Sequence, residues 1–211
     1  SAIGGLVGMS SGVTIEESYF NGRIDATSAT SVGGLVGENE SASGKTTIKN
    51  SLAVLDFIRA GTVAGGLMGQ ASIGNGQSSI SDSAVWIDIN GANPGNDLQG
   101  GTIGGLIGKI GESNFSVSTS YVDVTNASVP VSFQVLANDN TSGGQTITEV
   151  GAIGADLNTN WLSSGPWAAN YQANSHQDLQ FNLGNFQNDE RWLTDSNGRL
   201  VPKWYIEGFE D

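Results

Sequence analysis

A six-residue phrase recurs four times in this chain: Ile3-Gly-Gly-Leu-Val-Gly8, Val32-Gly-Gly-Leu-Val-Gly37, Ala64-Gly-Gly-Leu-Met-Gly69 and Ile103-Gly-Gly-Leu-Ile-Gly108. A fifth, degraded copy is expected at Val150-Gly-Ala-Ile-Gly154. The first glycines stand at 4, 33, 65, 104 and 151, so the steps are 29, 32, 39 and 47 residues and the unit lengthens as it would through loop insertions. Self-similarity at such intervals implies a stack of supersecondary units, none of which can bury its apolar face alone.

A second phrase travels with the first: Thr14-Ile-Glu-Glu-Ser-Tyr-Phe20, Thr47-Ile-Lys-Asn-Ser-Leu-Ala53, Ser79-Ile-Ser-Asp-Ser-Ala-Val85 and Ser116-Val-Ser-Thr-Ser-Tyr-Val122. Short β-branched runs follow, at Val54 to Ile58, Val85 to Ile89 and Val122 to Val124, with the alternation of strands. No helical period precedes residue 155. Each unit therefore reads as two or three short strands joined by Gly, Ser, Asn and Asp. The fold class expected is all-β, a parallel β-solenoid of four to five coils.

The glycines have a physical reason in such a fold. The apolar residue before Gly-Gly and the Leu after it are three apart, which on a plain strand puts them on opposite faces. A bulge or corner at Gly-Gly restores the parity, because glycine tolerates positive φ and lets adjacent backbones approach. The repeat residues proper are thus Gly4, Gly5, Leu6 and Gly8; Gly33, Gly34, Leu35 and Gly37; Gly65, Gly66, Leu67 and Gly69; and Gly104, Gly105, Leu106 and Gly108. The leucines are predicted to form one inward ladder. Ile15, Ile48, Ile80 and Val117 should form another, with Ser18, Ser51, Ser83 and Ser120 stacked beside them.

Residues 1–155 make up the solenoid in this reading, with an insertion at about 125–149 that carries the strand-like Val129-Pro-Val-Ser-Phe-Gln-Val-Leu136. From 156 to 211 the composition shifts, and four of the five tryptophans (Trp161, Trp167, Trp192 and Trp204) fall there. A solenoid needs its last open edge hidden, so this segment is expected to be a terminal cap. Asp195-Ser-Asn-Gly198 predicts a tight hairpin between Trp192-Leu193 and Leu200-Val201.

The phrase Gly-Gly-Leu-Val-Gly followed by an Ile-x-x-Ser segment resembles the GLUG repeat of bacterial surface proteins, found in large adhesins and some secreted immunoglobulin A peptidases. Gly4 to Gly8, Gly33 to Gly37, Gly65 to Gly69 and Gly104 to Gly108 carry the resemblance, whereas Ala152 and Ile153 depart from it. Asn197-Gly-Arg-Leu-Val-Pro-Lys-Trp204 is similar to the ending that often follows such arrays, with Pro202 placed after the Leu. The resemblance implies an extracellular or bacterial cell-surface location and an adhesive or structural role. It implies no catalytic residue.

Composition narrows the alternatives. The net charge is −13 with a pI near 4.2, a surface that repels phosphate backbones and anionic lipid and so disfavours nucleic-acid and membrane-surface partners. No apolar run is long enough for a spanning helix. The chain opens inside a repeat at Ser1 and reads as a piece of something longer. Expected partners are other copies of the chain, stacked end to end into a filament, or neighbouring repeats of a longer one, together with surface glycans or a cell-surface protein.

Cysteine is absent, which removes disulfides, thiolate metal sites and cysteine nucleophiles. His176, the single histidine, lies in the polar run Asn174 to Asp178 without a nucleophile elbow. The eight basic residues, Arg23, Lys45, Lys49, Arg59, Lys109, Arg191, Arg199 and Lys203, do not cluster on one repeat face. Glu16-Glu17 and Asp189-Glu190 are adjacent, so on strands they point apart. No enzyme activity or cofactor is therefore expected. Asp88 to Asp97 and Asn138 to Asn140 could offer oxygen ligands to calcium, although turn chemistry explains both. The alternative to an adhesive module is a carbohydrate-binding or polysaccharide-processing solenoid, with Trp161 and Trp167 as the aromatic platforms for sugar rings.

Overall fold

The computed structural model describes residues 1–40, 44–74, 76–87, 98–124, 134–138, 146–153, 192–194 and 200–207. Its first coil contributes β1 (Ala2–Gly4), β2 (Val7–Ser10), β3 (Thr14–Glu16) and β4 (Tyr19–Ala26). The second contributes β5 (Ser31–Gly33), β6 (Val36–Asn39), β7 (Thr47–Lys49) and β8 (Leu52–Ala60). The third has β9 (Val63–Gly65), β10 (Met68–Gly74), β11 (Ser79–Ser81), β12 (Ala84–Ile87) and the short β13 (Leu98–Gln99). In the fourth, the pieces fuse into β14 (Thr102–Glu112) and β15 (Ser116–Asp123). A fifth layer, β16 (Gln134–Asn138) and β17 (Thr146–Ile153), follows, and then a hairpin of β18 (Trp192–Thr194) and β19 (Leu200–Pro202) leads into α1 (Lys203–Glu207).

Equivalent strands pair in parallel from coil to coil, Ile3 on Val32 on Ala64 on Ile103 in one sheet and Ile15 on Ile48 on Ile80 on Val117 in the other. The chain is a parallel β-solenoid, as the repeats predict. The lengthening between the first two coils falls between the strands: β2 and β3 are separated by residues 11–13, whereas β6 and β7 are separated by residues 40–46.

The Gly-Gly step is a stacked bulge. Leu35 and Val36 both donate their N–H to the one carbonyl of Leu67, at 2.9 Å each, and Leu6 and Val7 share that of Leu35 in the same way. Against the fifth layer the extra residue shows directly, because Gly104 to Ile107 spans the distance covered by Gln134 to Leu136. Parity is thereby restored, and Leu35, Leu67 and Leu106 are fully buried. The expected use of positive φ is corrected: the phrase glycines do not adopt it. They are needed for close approach. A Cβ on Gly34 would overlap the Gly66 carbonyl oxygen, and one on Gly66 the Gly105 carbonyl oxygen.

Positive φ occurs instead at the corner of the second sheet, and on non-glycine residues. Glu17, Asn50, Asp82 and Thr119 hold φ of 47°, 48°, 49° and 45° in successive coils. Such a conformation costs roughly 1–2 kcal/mol for a residue with a Cβ. The serine that follows each one supports it. Ser18, Ser51, Ser83 and Ser120 donate their hydroxyls to the carbonyl two residues back, at 2.7 to 2.9 Å. Ser51, Ser83 and Ser120 also accept the backbone N–H of the serine one coil earlier, at 3.1 to 3.2 Å. The predicted serine stack is thus a hydrogen-bonded ladder that locks the corner.

Two further expectations change. The stretch read as an insertion supplies the strands of the fifth layer, β16 lying on β14 and β17 on β15. In β17, Val150, Gly151 and Ala152 face Ser120, Tyr121 and Val122, so the supposed fifth glycine phrase occupies the place of the serine phrase. Gly151 and Gly154 have the spacing of the motif, but the pairing register places Ile147 on Val117 and so Gly151 in the second sheet.

The C-terminal segment, where described, is not laid over the last edge. β18 and β19 pair antiparallel as predicted, Leu193 on Val201, and pack on the outer face of the second sheet. There Leu52, Val54, Ala84, Trp86 and Tyr121 form a second apolar cluster with Trp192, and Tyr19 and Tyr205 pack against it. Covering both faces explains why Leu52 to Leu55 and Ala84 to Ile87 are unbroken apolar runs. Indole N–H of Trp204 donates to the Asn50 carbonyl at 2.7 Å, which ties the segment to the corner ladder.

Candidate functional site

Large apolar side chains stand exposed together on the first coil, Ile206 in α1 being a separate case. Ile3, Leu6 and Met9 are 40%, 45% and 50% exposed, whereas the residues stacked under the first two, Val32 and Leu35, are fully buried. Ile3 and Leu6 are core residues with one side missing. Met9 stands over Glu38 and Gln70, which keep the outward position polar in the coils below. Among the described residues each of β1 to β4 has a strand partner on one side only, so its other edge lacks a ladder neighbour there.

Glycine spacing gives this edge a second property. The third glycine of each later phrase is pressed by the coil before it: a Cβ on Gly37 would overlap the Gly8 carbonyl oxygen, on Gly69 the Gly37 carbonyl oxygen, and on Gly108 that of Ala64. A Cβ on Gly8 would meet only the Ala2 carbonyl oxygen, at 3.2 Å. The Ser18 hydroxyl likewise donates to Glu16 but accepts no N–H from an earlier coil, unlike its three counterparts.

Two ion pairs join the first and second coils on the second sheet. Lys49 bridges Glu16 at 2.7 Å, and that hydrogen bond raises the lysine pKa. Arg59 bridges Asp25 at 3.0 Å and lies 4.2 Å from the Phe57 ring centroid, with Arg23 at 6.0 Å from the same ring. Two of the basic residues thus do converge. Glu16 and Glu17 separate because Glu17 turns the corner rather than by strand alternation. Tyr19 has its pKa pushed up to about 12, first by burial and then by its hydrogen bond with Tyr205, whose ring centroid is 5.2 Å away.

A buried polar corner, unforeseen from the sequence, sits where the chain passes from the first sheet to the second. Glu112, fully buried, accepts the Asn39 amide at 2.8 Å, the Ser78 hydroxyl at 2.8 Å and the Ser78 N–H at 2.9 Å. Ser78 in turn accepts the Thr46 N–H at 3.0 Å, and the Thr46 and Ser10 hydroxyls are hydrogen-bonded to each other at 2.9 Å. The only signal in the sequence is that Ser10, Asn39 and Glu112 each follow a glycine phrase by a few residues. The cluster links four coils.

Trp161, Trp167, His176, Asp189-Glu190 and the acidic stretch 88–97 lie outside the described residues, as do Asp139 and Asn140. Among the described residues no group of three or more His, Cys, Asp or Glu could hold a metal ion, and no helix is long and apolar enough to cross a membrane. Comparison with known proteins finds no matching family model, no matching curated protein and no matching solved structure.

Proposed function

We propose that this chain is a non-catalytic structural module of an extracellular or cell-surface adhesive protein, joined to other solenoid through its first coil. The uncovered edge with Ile3, Leu6 and Met9 carries the reading, since about a quarter of a kilocalorie per mole is left unrealised for every 10 Å² of apolar surface in water. The likeness of its two phrases to the GLUG repeat supports the location and the adhesive class. A serine-locked, glycine-bulged stack is a rigid spacer, the property such a module needs.

Two measurements test it together. Immobilised protein is screened against purified polysaccharides and against surface proteins, and soluble products are assayed for glycan cleavage. Retention of a surface component without cleavage is expected. Turnover of a polysaccharide would replace the structural reading with an enzymatic one.

A further inference from the structure

Deepening that reading, and resting on it, we infer that the face formed by Ala2–Ala26 is built to receive one more parallel coil, carried by a partner solenoid with a Gly-Gly-Leu phrase in register with Gly4-Gly5-Leu6. The argument comes from what each coil demands of its neighbour. In three successive pairs, Gly5 on Gly34, Gly34 on Gly66 and Gly66 on Gly105, the second glycine of the upper coil aims its missing Cβ at the carbonyl oxygen below. Whatever covers Gly5 must therefore bring glycine.

The third glycine obeys the reverse rule. A Cβ on Gly37 or Gly69 would overlap the carbonyl of the third glycine in the coil above, Gly8 or Gly37, and one on Gly108 would overlap the Ala64 carbonyl of its own upper neighbour. Gly8 meets no such carbonyl, and its φ is not in the left-handed region. Within the described residues a Cβ at position 8 would meet only the Ala2 carbonyl oxygen at 3.2 Å, a tight approach but well short of the overlaps at Gly37, Gly69 and Gly108, and glycine otherwise weakens a strand. An overlying coil of the same kind would require it. The same coil would deliver a corner N–H to the Ser18 hydroxyl, which the lower three serines already receive. It would also cover Ile3 and Leu6.

A second copy of this chain, stacked end to end, fits poorly. Its last described layer passes the glycine phrase as Gln134-Val135-Leu136, without a glycine and without the bulge. The Cβ atoms of that layer would meet the carbonyls of the Gly5 strand. A simple self-stacked filament is thus not what the edge selects, and a coil resembling residues 31–61 is.

The experiment repeats residues 31–61 once more, fused directly ahead of Ser1 of the full chain. Ser1 then takes the place that Thr62 holds in the native array, since the carbonyls of Ser1, Thr30 and Thr62 accept equivalent N–H groups from the next coil. Gly8→Ala is made in both the parent and the extended chain. Expected are slowing of amide exchange in β1 to β4 by about tenfold or more on extension, and a Gly8→Ala cost larger in the extended chain than in the parent by about 5 °C or more in melting midpoint. An equal cost in both chains, or no added protection of β1 to β4, overturns the inference. So does concentration-dependent self-association of the parent that is lost on extension, which would make a second copy the occupant. The glycan assays above do not depend on this edge, so failure of one reading leaves the other readable.

Discussion

Replacing Glu112 by alanine should be among the most destabilising single changes available outside the glycine phrases. The side chain is fully buried and accepts three hydrogen bonds from Asn39 and Ser78. Asn39 keeps a second acceptor, the Gly44 carbonyl at 3.0 Å, so its loss is partial. Ser78 fares worse, because both its N–H and its hydroxyl proton lose their acceptor. Each buried donor left without a partner costs about 1–3 kcal/mol, which places Glu112→Ala at about 4 kcal/mol for the two stranded groups with a water able to soften the upper end. For a chain of this size that corresponds to about 8–16 °C in midpoint.

Glu112→Gln is the informative control. It keeps the length and one oxygen, but turns the other acceptor into a donor that faces donors. A cost of about 1–2 kcal/mol is expected, clearly below the alanine value. Urea unfolding followed by tryptophan fluorescence gives the midpoints, and amide exchange at Thr46 and Ser78 reports whether the damage starts at this corner, since stacked repeats need not unfold in one step. Equal costs for Ala and Gln, or a near-neutral Glu112→Ala, would refute the hydrogen-bond accounting.

Gly66→Ala, which drives a Cβ into the Gly105 carbonyl and the Val85 methyls, should cost about 3 kcal/mol or more and reduce soluble yield, read by thermal melting. Ser51→Ala removes the acceptor of the Ser18 N–H and the support of the Asn50 corner, for about 1–2 kcal/mol by urea titration. The Tyr19 hydroxyl has its pKa raised by burial and by Tyr205, so the neutral form is favoured when folded; the stability it adds is complete below the ordinary tyrosine pKa near 10 and is lost as pH climbs towards about 12. Alkaline release of the C-terminal hairpin, followed by Trp192 and Trp204 fluorescence, should therefore lose this step in Tyr19→Phe. Trp204→Phe removes the bond to the Asn50 carbonyl and should speed exchange in α1 and β19 while leaving the inner ladders protected.

The parallel stack, the bulge at Gly-Gly and the inward Leu, Ile and serine ladders could be written down from the residues alone. In a solenoid each coil touches only its neighbours, so a repeated phrase states its own contacts: Ile15, Ile48, Ile80 and Val117 recur because they lie on one another. Side-chain parity is equally local, and Gly-Gly betrays its bulge by the odd spacing it spans. Other features depend on groups that no local pattern joins. Glu112 meets Asn39 across 73 residues, and Trp204 meets Asn50 across 154, so neither the buried corner nor the lateral docking of the C-terminal hairpin was visible beforehand. The register of β17 was hidden for a related reason: Gly151 mimics the phrase, and only pairing with β15 puts it in the other sheet.

The amino-acid sequence determined, by itself, what kind of surface one coil offers the next, because that surface is made of consecutive residues of period two broken by a glycine bulge. Tertiary structure decided where a fully buried carboxylate finds its donors, which sheet receives β17 and on which face the aromatic hairpin rests. Those outcomes turn on chain closure between distant segments, where backbone carbonyls such as that of Gly8 acquire or lack a neighbour only once the stack is assembled.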